Sequence, residues 1–216
     1  DVDCRLPKTW ISSMNSYFHD DIDFLIGVAK IEKYKNFISR FQMIDLQILF
    51  NVARGMSNLK MPFASIGQNQ AYRKELYENV GFLDISNSIQ GDDTLFLQEC
   101  FKKNIKLGFN EDSLSFVKSR LENNLISFIK QRVRWAADLK VLWNYNKGLF
   151  IISFSTFISN LFILFASISY LIFNNIVFSF LSGVVLIKII LEFSLYYTGS
   201  KKLLYKKNYM SFILSL

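Results

Sequence analysis

From Leu149 to Phe173 the chain carries no charged residue. At ~1.5 Å per residue, a helix over that stretch crosses a hydrocarbon core of about 30 Å. Asn174-Asn175 then reads as a tight turn, and Ile176 to Tyr197 as a second span. Lys188 and Glu192 fall inside this second span, one helical turn apart. Charges at that depth are costly unless paired or facing protein, and their i, i+4 spacing allows a mutual ion pair. The net charge of +7 gathers around the hairpin: Lys130, Arg132, Arg134, Lys140 and Lys147 precede it, and Lys201, Lys202, Lys206 and Lys207 follow it. That pattern suits an anionic membrane face rather than nucleic acid. It places the polar part and the basic tail on the cytoplasmic side of a cell or inner membrane. The expected layout is a polar domain over 1–147, two transmembrane helices within 148–197 (about 149–173 and 176–197), and a basic tail over 198–216. The run from Tyr209 to Leu216 is the start of a possible third apolar segment. The chain opens without Met and ends in that apolar run, so it reads as a piece of a longer protein.

Composition narrows the chemistry. The apolar fraction is 51% and the aromatic fraction 16%, with 22 Phe, an excess concentrated toward the C-terminal end. Cys4 and Cys100 give neither a disulfide framework nor metal-ligand spacing. His19, the single histidine, excludes a multi-histidine metal site and leaves few options for a Ser-His-Asp triad.

The polar part reads as mixed α/β. Trp10, Ile11, Met14, Tyr17 and Phe18 fall at helical spacing after Pro7. Phe24 to Ala29 suits a buried strand, and His19-Asp20-Asp21 before it a turn. From about Tyr34 to Met56, Phe37, Ile38, Phe41, Ile44, Ile48, Leu49 and Val52 make one helical stripe, for which core packing is a sufficient explanation. Gly67 to Lys74 reads as a loop entering a helix that Gly81 stops. Ile105–Phe109 and Leu114–Val117 read as short strands, and Asn123-Asn124 caps a further helix.

Four stretches carry candidate chemistry. Asp1-Val2-Asp3 can present two carboxylates to one hard divalent cation; an ordinary polar loop has the same composition. In Gly67-Gln68-Asn69-Gln70-Ala71-Tyr72-Arg73, the glycine lets a substrate approach the backbone and Asn69 offers a polar side chain; a turn and an N-cap would use the same residues. In Gly91-Asp92-Asp93-Thr94-Leu95 the acids suit a helix start, and one of them could also deprotonate a hydroxyl. Gln131-Arg132-Val133-Arg134-Trp135 puts an amide, two guanidiniums and an indole on one helix, with Gln131, Arg134 and Trp135 sharing a face able to hold a phosphate and stack on a ring. A basic stripe at a membrane surface with Trp135 as interfacial anchor is the alternative.

The order of these four stretches resembles the second half of a membrane-bound family 2 glycosyltransferase, the group that includes cellulose, hyaluronan and chitin synthases. The resemblance covers roughly residues 1 to 150, with the membrane hairpin following where that family places one. Gln131-x-x-Arg134-Trp135 matches its Gln-x-x-Arg-Trp motif completely. The family's acidic pair reads Glu-Asp, and here it is Asp92-Asp93. The resemblance implies the C-terminal part of a GT-A mixed sheet with flanking helices, followed by a transmembrane helical hairpin, with the N-terminal nucleotide-binding half absent. It implies Mg²⁺ or Mn²⁺ at Asp1 and Asp3, and a general base at Asp93 with Asp92 beside it. It implies diphosphate and acceptor contacts from Gln131, Arg132, Arg134 and Trp135, and an acceptor region near Gly67 and Asn69. The implied partners are a nucleotide-diphosphate sugar donor, a glycan or lipid-linked acceptor and membrane lipid, with no nucleic acid. The implied reaction is inverting transfer at the anomeric carbon. Other readings of the residues are a metal-dependent phosphodiesterase, a catalytically inactive membrane protein that binds glycan or a partner, and a transporter around Lys188 and Glu192.

Overall fold

The computed structural model describes residues 4–20, 22–31, 36–61, 63–80, 92–122, 124–137, 139–173, 178–203 and 209–213. The fold is mixed α/β. A short helix α1 (Trp10–Ser16) is followed by strands β1 (Phe24–Ile26) and β2 (Ala29–Lys30) and the long helix α2 (Phe37–Asn58). Strand β3 (Gln70–Tyr72), helices α3 (Lys74–Val80) and α4 (Asp92–Phe101), and strands β4 (Leu107–Phe109) and β5 (Val117–Lys118) complete the sheet region. Helices α5 (Leu125–Ala137) and α6 (Leu139–Tyr145) then lead to α7 (Lys147–Phe173), α8 (Phe178–Lys202) and α9 (Tyr209–Ile213).

Strand β1 is the centre of a three-stranded sheet, antiparallel to β3 (Phe24 opposite Tyr72) and parallel to β4 (Phe24 opposite Leu107). Strand β2 pairs in parallel with β5, and Arg5 makes an antiparallel bridge to Lys118 on the same strand. The single strand expected over Phe24 to Ala29 is thus two, joined through Gly27 and Val28. Asn69 causes the break. A Cβ on Gly27 would fall 2.4 Å from the Asn69 side chain, so only glycine admits the amide there. Asn69 in turn satisfies the interrupted backbone. Its carbonyl accepts from Gly27 N–H at 2.8 Å, and its Nδ2 donates to the Val28 carbonyl at 2.8 Å. With β1 and β2 buried throughout except Lys30, an unpaired backbone group in this place would be costly.

Other expectations shift for local reasons. The segment from Gly67 to Lys74 contains strand β3 rather than a plain loop. Leu114 lies in a 3-10 turn (Ser113–Ser115) instead of a strand, because the Asp112 carboxylate accepts the Leu114 N–H at 3.0 Å and holds the turn. Helix α2 starts at a capping box: the Asn36 side chain accepts from Ser39 N–H, and the Ser39 hydroxyl accepts from Asn36 N–H. It runs past Gly55 to Asn58. Asn124 caps α5 as expected, accepting from Ser127 N–H at 2.9 Å. Asn123 and the Asn174-Asn175 turn lie outside the described residues.

Helices α7 and α8 are each long and apolar enough to cross a membrane, over Lys147–Phe165 and Gly183–Lys202. Only 6% and 17% of those windows is buried within the protein, whereas a soluble core helix would be mostly buried. Lys188 and Glu192 form the ion pair their spacing allows, at 2.6 Å. Helix α8 does not stop near Tyr197. It continues to Lys202 because Tyr196 and Leu203, both fully buried, join the core cluster that contains Met43, Phe50 and Phe212. The expected basic tail therefore begins as the last turn of this helix.

Candidate functional site

The head of α4 and the loop before β3 are tied together by one carboxylate. Asp93 accepts the Gly67 N–H on Oδ2 at 2.6 Å and the Thr94 N–H on Oδ1 at 2.7 Å. The neighbouring Thr94 hydroxyl donates to the Ser65 carbonyl at 3.2 Å. An acid in the first turn of a helix is favoured by the helix dipole, so the local sequence accounts for Asp93 at this place. Its reach across to Gly67 is a tertiary feature. Gly67 is exposed, and a Cβ there would stand 3.5 Å from Asp93 Oδ2. That is ordinary van der Waals contact, so a Cβ there would touch the carboxylate without a clash.

Asn69, two residues on, is 1% exposed, and its whole amide is engaged. Nδ2 donates to the Val28 and Ser115 carbonyls at 2.8 and 3.0 Å, and Oδ1 accepts from Trp10 Nε1 at 2.8 Å. This one side chain joins the link between β1 and β2, the 3-10 turn before β5, and α1. It fixes the loop that presents Gly67, and it does so from inside the core rather than from a substrate-facing surface.

Helix α5 carries the second group. Its inner face is built on Phe128, Gln131, Arg132 and Trp135, at spacings of three and four. Gln131 Nε2 donates to Glu122 Oε1 at 3.3 Å. Arg132 forms an ion pair and hydrogen bond from Nη2 to Asp45 Oδ2 of α2, and its guanidinium lies 4.7 Å from the Phe128 ring centre and 4.2 Å from that of Trp135. Arg132, expected among the substrate contacts, is thus turned inward. Burial pushes the Asp45 carboxyl above its usual range, with the Arg132 charge pulling the other way. Burial likewise lowers Arg132 from its ordinary value, against the attraction of Asp45. Arg134 is exposed, and Trp135 keeps 37% of its surface. The three-residue face expected from Gln131, Arg134 and Trp135 is therefore divided: Arg134 and part of Trp135 are open, and Gln131 is half-buried against Glu122.

The two groups are joined through α6. It leads out of α5 and packs beside α4, where Lys102 Nζ stands 4.4 Å from the Tyr145 ring centre. Asn146 Nδ2 then donates to Gln98 Oε1 of α4 at 3.0 Å. Burial, with Glu99 next to it, pushes the Cys100 thiol up to about 12, so this cysteine is no nucleophile near neutral pH.

Asp1 and Asp3 lie outside the described residues, and of Asp92 only the backbone, at the first position of α4, is described. Among the described residues no group of three or more His, Cys, Asp or Glu side chains could hold a metal ion. The carboxylate donor set of Asp1 and Asp3 fits a hard cation such as Mg²⁺ or Mn²⁺ by its chemistry. Ser65, Glu122 and Asp45 were not singled out by sequence. For Asp45 a signal existed: it is the one acid in α2, four residues after Phe41 on an otherwise apolar stripe.

The described residues thus form a mixed sheet with helices around it, an acid at the head of α4 and an Arg-Trp helix before two apolar helices. The chain matches the description "Glycosyl transferase family group 2" over residues 1–205, and it belongs to that family. Comparison with curated proteins gave no match.

Proposed function

We propose that this chain carries the acceptor side of an inverting, membrane-bound glycosyltransferase, which moves a sugar from a nucleotide-diphosphate donor to a hydroxyl of a glycan or lipid-linked acceptor. One observation carries the reading. In a chain of this family, the half-buried Asp93 carboxylate at the head of α4 accepts the Gly67 N–H at 2.6 Å, which brings the acid and the glycine loop together.

Asp93 takes the proton from the acceptor hydroxyl as its oxygen attacks the anomeric carbon and the bond to the diphosphate breaks. Arg134 offers an exposed cation to the departing diphosphate, and Trp135 a partly exposed ring to a sugar. Gln131 and Arg132 support that wall from behind, and Asn69 holds the Gly67 loop. Asp1 and Asp3 would hold Mg²⁺ or Mn²⁺, which supplies charge neutralisation of the diphosphate when bound. Helices α7 and α8 cross a cell membrane, with residues 1–147 on the cytoplasmic side, where the donor and the basic flanks belong.

The test is nucleoside diphosphate release by the full-length protein in detergent or nanodiscs, with a panel of UDP- and GDP-sugars and either metal. Asp93→Asn is expected to lower turnover at least about 100-fold. Near-normal turnover in that variant would remove Asp93 as the base.

A further inference from the structure

Helix α2 meets the Arg-Trp helix at three points that the proposed chemistry does not use. The Phe41 and Phe128 rings pack edge to face, 5.7 Å between centres. Gln42 and the Glu122 backbone bond reciprocally at 3.0 Å in each direction, and the Glu122 side chain accepts from Gln131. Asp45 pairs with Arg132, whose guanidinium is stacked between Phe128 and Trp135. Arg132 Nε is buried and has no hydrogen-bond partner among the described residues, while Nη2 donates to Asp45. The far side of α2 is anchored in turn: Gln47 Nε2 donates to the Tyr196 carbonyl and the Ser200 hydroxyl of α8, at 2.9 and 2.6 Å, and Asn51 Nδ2 donates to the Leu195 carbonyl at 2.9 Å.

We propose that Asp45 is a positioning residue for glycosyl transfer, acting through Arg132 to hold the Trp135 ring at the angle a bound sugar requires. The role rests on the reading of α5 as a wall of the transfer site. Only a planar guanidinium can donate to the carboxylate from its edge while lying over two rings, so lysine at position 132 would keep the charge and lose the geometry. The arrangement is also poorly explained as a stability device. A partly buried ion pair is weak evidence for stability, because desolvation offsets much of the attraction. Small displacements of a substrate-positioning group, by contrast, are strongly felt in turnover.

The experiment uses the full-length protein in nanodiscs and the donor that supports nucleoside diphosphate release. Turnover and KM are measured for Asp45→Asn, Asp45→Glu, Arg132→Lys, Trp135→Phe and the double variant Asp45→Asn with Trp135→Phe. Acrylamide quenching of the Trp135 emission, taken as wild type minus Trp135→Phe, reports the ring directly. Asp45→Asn and Arg132→Lys are expected to lower kcat about 10- to 100-fold and to raise the quenching, with Asp45→Glu restoring most of both. In the Trp135→Phe background the loss from Asp45→Asn should shrink to less than about 2-fold, since the two residues act as one unit. An undiminished loss in that background would overturn the proposal and leave Asp45 a stability residue, as would unchanged quenching. A wild-type protein that releases no nucleotide with any donor would overturn the transfer reading and this role with it; the quenching comparison would still show whether Asp45 orders Trp135.

Discussion

Helix α2 carries Gln42, Asp45, Gln47 and Asn51, and the three amides are 3%, 0% and 5% exposed. Helix α7 has no charge beyond Lys147, yet Phe157, Phe162 and Phe165 are 58%, 58% and 60% exposed. The polar helix is the buried one and the apolar helix the exposed one. Both follow one rule, that each group seeks the medium that satisfies it. The amides of α2 find carbonyls on α8 and on the segment before α5, where they are worth far more paired than left dry. The exposed rings of α7 are those of a helix long and apolar enough to cross a membrane. Within a single helix, α8 shows both behaviours: Ile187, Ile190 and Leu191 are exposed, while Tyr196 is sealed in the core cluster with α2 residues Met43 and Phe50.

The strongest way to break this contrast is to place a charge on α7. Phe157→Arg would be nearly neutral on a water-facing helix. On a bilayer-facing one it is expected to cost about 3 kcal/mol of insertion, seen as loss of the full-length protein from the membrane fraction. Retention at the wild-type level would show that α7 does not meet lipid. Next in size is Gln47→Ala. It removes two hydrogen bonds at a fully buried site and leaves the Ser200 hydroxyl without that donor. The expected loss is about 2 kcal/mol, measured as a lower unfolding midpoint in detergent; an unchanged midpoint would mean that α2 and α8 are not docked in solution. The smallest effect sharpens the contrast inside α8. Glu192→Gln leaves Lys188 without the partner it has at 2.6 Å. A loss of about 1 kcal/mol is expected, recovered when Lys188→Met is added, since removing both charges also removes the unpaired one. A double variant no more stable than Glu192→Gln would place the pair in water.

Much of the candidate site was legible because its elements are local. An acid pair before an apolar run marks a helix start, and α4 begins at Asp92. Asn124 before an amphipathic stretch marks another, and α5 follows it. The Lys188–Glu192 pair needs only the helical repeat. What escaped the reading depends on contacts distant in sequence. Asn69 looked like a loop amide able to meet a substrate, but Val28, Ser115 and Trp10 converge on it from three other segments. Arg132 stands off the face that helical spacing gives Gln131, Arg134 and Trp135, yet counts among the expected substrate contacts; Asp45, on another helix, draws it inward.

Sequence by itself determined the two long apolar helices, the α/β alternation before them and the family to which the chain belongs, because composition, hydrophobic period and motif order are properties of the chain read in one dimension. Only the tertiary structure decided that Asn69 breaks a strand at Gly27, that the Gly67 N–H reaches Asp93, and that α2 ties α8 to the Arg-Trp helix. Each of these rests on a hydrogen bond or close approach between segments far apart in sequence. The partner that satisfies a buried polar group is chosen by the packing, and no local pattern names it.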